Sequence, residues 1–303
     1  MKILVTGCAG FIGFHLCNSL LKKNIEIIGV DNLNNYYSVK YKKKRLEILK
    51  KNKKFKFEKI DISNYQKLEN IFKRKKFDLI VNLAAQAGVR YSITNPDKYV
   101  KSNVNGFFNL IELSRLYKIK KIIYASSSSV YGEKKIFPQT EDMQLEPKNF
   151  YSLSKKNNED MARIYSTYYN IQFIGLRFFT IYGEWGRPDM LILKYIISKF
   201  RNKKFYLYNY GDHYRDFTYV GDAIKAINLL ISKRFKNKNE IFNICSNNPI
   251  SLKKILKRID DTFGSPLIVR KGKEKADVYK THGSNKKLKK GRVISALLTR
   301  NGK

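Results

Sequence analysis

The amino-acid sequence predicts an α/β fold: a doubly wound parallel sheet followed by a smaller C-terminal lobe. Short runs of apolar, often β-branched residues alternate with helical patterns, as they do where a parallel sheet is covered on both faces. A glycine-rich turn directly follows the first run, and the alternation loosens after Arg177. We therefore divide the chain into one domain over residues 1–176 and a smaller lobe over 177–303.

The individual elements follow from local patterns along the chain. Ile3, Leu4 and Val5 form an apolar run that breaks at Gly7, and apolar periodicity then predicts a helix over 11–23. Further apolar runs predict strands at 25–30, 55–60, 79–83, 122–125 and 173–176. In the second half the sequence predicts loops around 183–188 and 209–215, and helices near 222–233 and 251–263.

The composition excludes several classes of protein. Among 303 residues, 43% are hydrophobic and 14% aromatic, which supplies a sizeable core and excludes disorder throughout. No apolar run approaches the roughly eighteen residues that span a bilayer, and the N-terminus lacks a signal-peptide pattern, so we expect a cytoplasmic protein without membrane insertion. Cys8, Cys17 and Cys245 are odd in number and widely spaced, which supports neither a disulfide framework nor a metal site.

The charge is strongly unbalanced. The chain has 61 Lys and Arg residues against 25 Asp and Glu, a formal net charge of +36, which attracts polyanions at low salt. The runs 40–54 and 286–290 are the best candidates for a basic patch, but neither interleaves the aromatic residues that would stack on bases. We favour solvated lysine-rich faces over nucleic-acid binding, and keep a polyanion-binding protein on a dinucleotide fold as an alternative.

The glycine-rich turn predicts a dinucleotide site. Gly7, Gly10 and Gly13 lie between a strand and a helix, where glycine lets the backbone approach a pyrophosphate at the helix N-terminus. A glycine triplet alone is often only a turn. Asp31 follows the second strand, where a carboxylate can accept both ribose hydroxyls and would repel the 2′-phosphate of NADP. Together they predict a Rossmann-type domain that binds NAD.

A tyrosine and a lysine on one helix face predict acid–base chemistry. Tyr151 and Lys155 are one turn apart, and Ser126–Ser129 follow the apolar run at 122–125, at the carboxyl end of a strand where ligands bind. A cation ~4 Å from the hydroxyl, in an effective dielectric of about 20, stabilises the phenolate by about 4 kcal/mol. This lowers the pKa of the tyrosine by about three units from its ordinary value near 10. Such a tyrosine could transfer protons near neutral pH.

Ordered motifs over about residues 1–290 resemble the extended short-chain dehydrogenase/reductase family, and within it the nucleotide-sugar 4-epimerases of the UDP-glucuronate type. The motifs are TGCAGFIG (6–13), Asp31, Asp61-Ile62, NLAAQAGVRYS (82–92), SNVNG (102–106), YASSSSVYG (124–132), YSLSK (151–155), LRFFTIYGEWGRPDM (176–190) and DHYRDFTYVGD (212–222). The resemblance implies a UDP-sugar substrate, tightly held NAD, and a homodimer formed through helices near 95–117 and 151–169.

The resemblance also implies roles for individual residues. The residues implied to hold NAD are Gly7, Gly10, Phe11, Ile12, Gly13, Asp31, Asp61, Ile62, Leu83, Ala84, Ala85, Tyr151, Lys155 and Phe179. Those implied to be catalytic are Ser127, Tyr151 and Lys155, with Ser127 orienting the substrate hydroxyl. Those implied to face the nucleotide sugar are Thr180, Arg187 and Arg215.

Two features favour one activity within the family. Related dehydratases and decarboxylases carry an acid after the catalytic hydroxyl, but Ser128 and Ser129 stand there, so oxidation, rotation and reduction of the sugar is the economical mechanism. The segment 178–180 reads FFT, and Thr180 with Ser128 and Ser129 offers hydroxyl donors to a sugar carboxylate. We expect UDP-glucuronate 4-epimerisation to UDP-galacturonate, with UDP-glucose 4-epimerisation as the alternative.

The C-terminal residues depart from the resemblance. After Lys290 the chain reads GRVISALLTRNGK, where such proteins continue into a closing amphipathic helix. We expect a truncated or altered end after about residue 290, and local instability of the C-terminal lobe as its result.

Overall fold

The fold is described by a computed structural model that covers residues 1–290. The strands are β1 (Lys2–Thr6), β2 (Glu26–Asp31), β3 (Phe55–Lys59), β4 (Leu79–Asn82), β5 (Lys121–Ser127), β6 (Gln172–Phe178), β7 (Thr180–Tyr182), β8 (Phe205–Leu207), β9 (Tyr214–Tyr219), β10 (Asn239–Ile244), β11 (Pro249–Ser251) and β12 (Ile268–Arg270).

The helices alternate with these strands. They are α1 (Phe11–Lys22), α2 (Val39–Lys50), α3 (Tyr65–Arg74), α4 (Tyr91–Thr94), α5 (Pro96–Tyr99), α6 (Gly106–Leu116), α7 (Phe150–Tyr168), α8 (Leu191–Phe200), α9 (Val220–Ser232), α10 (Leu252–Phe263) and α11 (Lys286–Lys290). A π-helical segment, Val100–Asn105, joins α5 to α6, and 3₁₀ turns form at Ser128–Tyr131 and Tyr208–Gly211.

Seven parallel strands form the main sheet, in the order β10-β6-β5-β4-β1-β2-β3. The strand order reverses between β1 and β4, and in doubly wound sheets ligands bind in the crevice at such a point, beyond the carboxyl ends of the strands. The predicted α/β fold is confirmed. Strands β2 to β6 begin and end within two residues of the predicted runs.

The sheet has a hydrophobic layer on each face. On one face α1 and α9 bury Leu16, Leu20 and Ile227 against the strands. On the other face α3 and α6 bury residues such as Phe72 and Leu110. Because both faces are covered, the five inner strands β6, β5, β4, β1 and β2 are mostly apolar, which explains their continuous apolar runs in the sequence, whereas the edge strands β3 and β10 carry polar residues.

The smaller lobe is built from short strands around its own cluster. Strands β11, β9 and β7 form one sheet and β12 pairs with β8 in another. Tyr195, Phe205, Leu207, Leu252 and Leu256 are buried together between them and the helices α8 and α10. This lobe borders the carboxyl ends of the main strands, because β7 follows β6 after a single residue.

The division at 176/177 is too simple, because the chain returns to the main sheet after the boundary. Strand β10 pairs along its whole length with β6, from Asn239 opposite Phe173 to Ile244 opposite Phe178. Helix α9 packs on α1, where the Asn228 amide donates to the Ser19 hydroxyl at 2.9 Å. The sequence NEIFNI mixes polar and apolar residues, so its pattern did not indicate a buried strand.

Three expectations from the sequence concern membrane spans, metal sites with the cysteines, and the C-terminus. Within residues 1–290 no helix is long and apolar enough to cross a membrane, and no three His, Cys, Asp or Glu side chains group around a possible metal position. The three cysteines are free and buried. The expectation of an altered C-terminus falls on residues 291–303, which lie outside the described part of the chain.

Candidate active site

The turn after β1 leaves no room for side chains. Gly7 has φ +71°, and a Cβ there would lie 2.7 Å from the Ala84 amide nitrogen. A Cβ on Gly13 would lie 2.1 Å from the Gly7 carbonyl oxygen. Gly10 caps α1 without a side-chain hydrogen bond, so no side chain covers the amides of the first turn. The backbone therefore forms an open cradle at a helix N-terminus, which suits a pyrophosphate.

Asp31 ends β2 beside this cradle. Its carboxylate accepts from the Leu33 amide at 2.8 Å and from the Ala9 amide at 3.1 Å. Burial raises the pKa of Asp31, against the opposing effect of these two amides and of the cations Lys42 and Arg45. The hydrogen bonds fix the direction of the carboxylate, which lines the cavity where a ribose would lie.

Asp61 holds the next loop. Its carboxylate accepts from the Ser63 amide at 3.0 Å, the Ser63 hydroxyl at 2.8 Å and the Asn32 amide group at 3.1 Å. Partial burial acts to raise the pKa of Asp61, but these hydrogen bonds and the charge of Lys101 outweigh it, and the pKa is lowered. Asp61 thus stays ionised and ties the loops after β2 and β3 together.

A capping box starts the helix that carries the tyrosine and the lysine. The Asn149 side chain accepts from the Ser152 amide at 2.9 Å, and the Ser152 hydroxyl accepts from the Asn149 amide at 3.2 Å. This cap begins α7 at Phe150, which places Tyr151 in its first turn. The Tyr99 ring packs edge-on against Tyr151 with centroids 6.1 Å apart.

Lys155 is almost fully buried one turn later. Its ammonium donates to the Ala125 carbonyl at 2.9 Å, next to the carboxyl end of β5. Burial lowers the pKa of Lys155 to about 8, because keeping this amine protonated in the folded protein is unfavourable in free energy. Burial also raises the pKa of Tyr151, while a hydrogen bond with Ser127 and the charge of Arg187 act in the opposite direction.

Ser127 lies at the end of β5, where its hydroxyl joins both Tyr151 and the following turn. The Ser127 oxygen accepts from the Ser129 amide at 3.2 Å and from the Ser129 hydroxyl at 2.8 Å. Behind it, the Ser126 hydroxyl donates to the Glu159 carboxylate at 2.5 Å. Hydrogen bonds of Ser126, Ser127 and Ser129 therefore order the end of β5 and the turn after it.

A buried ion pair supports the end of β5 and β6. Arg177 contacts Glu159 with two parallel hydrogen bonds of 2.8 and 2.9 Å, and the exposed fractions of the two side chains are 4% and 8%. The Arg177 guanidinium also donates to the Tyr131 hydroxyl at 2.9 Å, and this hydroxyl donates to Asn243 on β10 at 2.7 Å. The network joins β5, β6, β10 and α7 beneath the candidate catalytic residues.

One cavity brings nearly all the predicted residues together. It extends from the glycine turn to α7 and β6. The predicted residues that line it are Gly7, Gly10, Phe11, Ile12, Gly13, Asp31, Asp61, Ile62, Leu83, Ala84, Ala85, Ser127, Tyr151, Lys155, Phe179 and Arg187. The fourteen residues expected at the cofactor and the three expected in catalysis thus share one space.

The other predicted substrate residues lie elsewhere. Thr180 and Arg215 line a second cavity in the smaller lobe, which meets the first at Met190. The Arg215 guanidinium donates to the carbonyls of Tyr214, Val278 and Tyr279 at 2.8–2.9 Å. Ser128 and Ser129 are not among the residues that line either cavity in the described chain, so their contact with a sugar stays a prediction.

Several residues of both cavities were missed from the sequence. In the first cavity they include Asn34, Tyr36 and Lys42, which follow Asp31 in the polar, aromatic segment NNYY and in α2. That segment directly follows a strand end, which is a signal that could have identified it. In the second cavity Arg90 pairs with Asp277 across 187 positions of sequence. No local pattern links such residues.

A carboxylate already contacts the predicted substrate-binding arginine. The Arg187 Nε and Nη2 atoms donate to the two oxygens of Asp189 at 3.1 and 2.5 Å. The two side chains are 20% and 28% exposed. Arg187 lines the first cavity and Asp189 the second, so the pair lies where the two cavities meet.

Comparison with known proteins identifies the family. Residues 3–245 match the model of the NAD dependent epimerase/dehydratase family. The chain belongs to this family. Among its relatives, protein CapI of Staphylococcus aureus is 43% identical over 281 residues, covering 87% of this chain and 84% of the relative. A UDP-glucuronate 4-epimerase of Thermodesulfobacterium geofontis is 38% identical over 295 residues, covering 95% of this chain and 88% of the relative.

A solved structure of the family has the same fold. The UDP-glucuronic acid 4-epimerase of Bacillus cereus, crystallised with UDP-glucuronic acid and NAD, is 30% identical and superposes with a TM-score of 0.90. The superposition covers 100% of this chain and 94% of that chain. In this family member the glycine cradle and the Asp31 carboxylate fit a dinucleotide, because the tight turn at Gly7 and Gly13, which has no room for a Cβ, brings the backbone and the N-terminus of α1 to where a pyrophosphate would bind.

Proposed function

We propose that the protein is an NAD-dependent epimerase acting at C4 of a UDP-sugar, which converts UDP-glucuronate to UDP-galacturonate. The observation that carries the proposal is that Ser127, Tyr151 and Lys155 line the same cavity as the glycine turn and Asp31. The relatives named as UDP-glucuronate 4-epimerases support the choice of reaction. NAD, when bound, supplies the acceptor for the hydride of C4 and returns it.

The residues of the chain move the proton. Tyr151 takes the proton of the 4-hydroxyl, and Ser127, which contacts Tyr151, aligns that hydroxyl. Burial raises the pKa of Tyr151 in the ligand-free protein, so Tyr151 is protonated there. To take the substrate proton it must first lose its own proton to solvent, and positive charge close to its hydroxyl favours the resulting phenolate; Lys155 is the cation one turn away on the same helix. Return of the hydride to the other sugar face, with the proton from Tyr151, completes the epimerisation.

The second cavity suits the nucleotide. Phe205 and Leu207 give its lining apolar atoms, and Arg215 lines the same cavity. Within residues 1–290 Arg215 forms no ion pair, and its partners are carbonyl oxygens, so its charge remains available to a diphosphate. The sugar would then lie between the cavities, near Thr180 and Arg187. These groups favour a hexuronate, with UDP-glucose as the alternative substrate.

We also propose a cytoplasmic homodimer. The predicted dimer helices expose apolar side chains, among them Val100 at 40%, Phe108 at 46%, Leu153 at 41% and Ile164 at 48%. Apolar residues grouped on neighbouring helices are typical of an interface between copies. The three buried free cysteines agree with a reducing compartment. Sedimentation of the protein and of a Phe108→Asp variant tests the dimer, because a wild-type monomer would contradict it.

The experiment that tests the activity is a substrate comparison. The NAD-loaded protein is incubated with UDP-glucuronate or UDP-glucose, and the products are resolved by chromatography. We expect UDP-galacturonate from the first, and conversion of UDP-glucose alone would overturn the substrate assignment. Replacing Tyr151 by Phe should reduce the turnover rate by roughly two to four orders of magnitude. An unchanged rate would reject its role in proton transfer.

A further inference from the structure

The inference concerns the ion pair between Arg187 and Asp189, and it rests on the proposed function. Among residues 1–290, three cations line the first cavity: Lys42, Lys155 and Arg187. Lys42 donates to Asn34 at 2.7 and 2.8 Å on the Asp31 side, and Lys155 donates to the Ala125 carbonyl. Of these three, Arg187 lies next to the junction of the two cavities, because its partner Asp189 lines the second cavity and Met190 lines both; the sugar of a bound UDP-sugar would lie there.

Asp189 already occupies the edge of the Arg187 guanidinium that a substrate carboxylate would bind. A guanidinium binds a carboxylate through two parallel hydrogen bonds, and Asp189 makes both of them. A hexuronate carboxylate and Asp189 thus need the same two N–H groups. A neutral hexose has no carboxylate and does not need these N–H groups.

The contact between Arg187 and Asp189 can be broken by a competing group. Each side chain keeps some exposure to solvent, 20% for Arg187 and 28% for Asp189, so water can reach the contact and replace either partner. Asp189 also interacts with the Tyr36 hydroxyl, which can keep hold of the carboxylate when the guanidinium leaves. The Arg187 guanidinium lies 5.7 Å from the Tyr36 ring, which gives it a second contact as well.

We propose that Asp189 is an internal competitor that occupies the carboxylate-binding edge of Arg187 until a hexuronate displaces it. Asp189 is thus a specificity-determining residue: it weakens the binding of acidic sugars relative to neutral ones. The displaced Asp189 carboxylate stays close by, next to Tyr36, so substrate binding brings a second negative charge to one guanidinium, which weakens the binding of a hexuronate and not that of a neutral hexose.

The test compares kcat and KM of the NAD-loaded enzyme for UDP-glucuronate and UDP-glucose. In Asp189→Asn we expect the KM for UDP-glucuronate to fall about three- to tenfold, because a carboxylate no longer competes with the substrate for Arg187. The KM for UDP-glucose should stay unchanged. Asp189→Glu, which can re-form the pair, should restore the wild-type KM. The difference between wild type and Asp189→Asn should shrink as salt is raised.

Glu184→Gln is the matched control, because it removes the same charge from the same loop. Glu184 is exposed to solvent and accepts from the Tyr219 hydroxyl at 2.9 Å. An equal fall in KM in Glu184→Gln would show a general charge effect and overturn the proposal. A rise in KM for both substrates in Asp189→Asn would show that Asp189 orients Arg187, and would also overturn it.

A calorimetric measurement separates this inference from the proposed function. The Kd values of UDP-glucuronate and UDP-glucose are measured for wild type, Asp189→Asn and Asp189→Ser, the last serving if the asparagine variant does not fold. Absence of turnover with either substrate would refute the function, while the ratio of the two Kd values would still test the competition. Turnover with an unchanged ratio would leave the function standing and refute the competition.

Discussion

Replacing Lys155 by Met should make the NAD-free protein more stable. The Lys155 side chain is 2% exposed, and burial lowers its pKa from an ordinary 10.5 to about 8. A difference of about 2.5 pH units corresponds to about 3 kcal/mol of unfavourable free energy for holding the charge in the folded state. Methionine has a similar stem and no charge, so the substitution removes this cost.

The gain is reduced by one lost contact. The Lys155 ammonium donates to the Ala125 carbonyl, and removing a hydrogen bond of this kind costs about 1 kcal/mol. The expected net stabilisation at about pH 7 is therefore about 2 kcal/mol. The same variant should lose epimerase activity, because Lys155 is the proposed cation beside Tyr151.

The pH dependence follows from the direction of the pKa shift. Between about pH 8 and 10.5 the unfolded chain binds a proton at Lys155 that the folded chain does not, so wild-type stability rises with pH in this window relative to the variant. The difference between the two proteins in free energy of unfolding should narrow by about 2 kcal/mol between about pH 7 and pH 9.5. Urea unfolding of both NAD-free proteins at the two pH values measures it. A less stable variant at pH 7, or a gap that does not change with pH, would refute this reasoning.

Three further outcomes are expected. Glu159→Gln should cost about 3–5 kcal/mol in thermal or urea unfolding, because it leaves Arg177 as an unpaired buried charge, and the double variant with Arg177→Met should recover most of the loss. Gly13→Ala should reduce both stability and NAD retention, whereas Gly272→Ala, where a Cβ meets nothing within 4 Å, should change neither. Duplex and single-stranded oligonucleotides should not bind at about physiological salt in fluorescence anisotropy, and a Kd below about 10⁻⁶ M would contradict the interpretation of the charge as solvated.

Local patterns were sufficient to group the residues that line the first cavity between the glycine turn and α7. Gly7, Gly10 and Gly13 stand between a strand and a helix, and the topology of a parallel sheet places that turn beside the ends of β2 and β4. Tyr151 and Lys155 share a helix face because they are one turn apart. In each case the residues that share a function are near in sequence, or lie at strand ends that the fold class brings together.

The substrate end could not be predicted in the same way. Arg90 and Asp277 meet because the smaller lobe closes against the loop after β4, and nothing in either local sequence requires the contact. Arg187 was expected to face the substrate, but its pairing with Asp189 depends on the conformation of an irregular loop. Periodicity predicts regular elements and not such loop geometry.

The return of β10 to the main sheet has a consequence for modularity. The segment from β7 to β9 is in effect an insertion between two neighbouring strands, since β6 and β10 pair in register on either side of it. The smaller lobe also takes β11, α10 and β12 from the chain after β10, so a chimaera that exchanges substrate lobes between relatives needs junctions after Phe178, before Val220 and again after Ile244. During synthesis β6 acquires its outer neighbour only once residue 244 has emerged, so this edge of the sheet stays open until then.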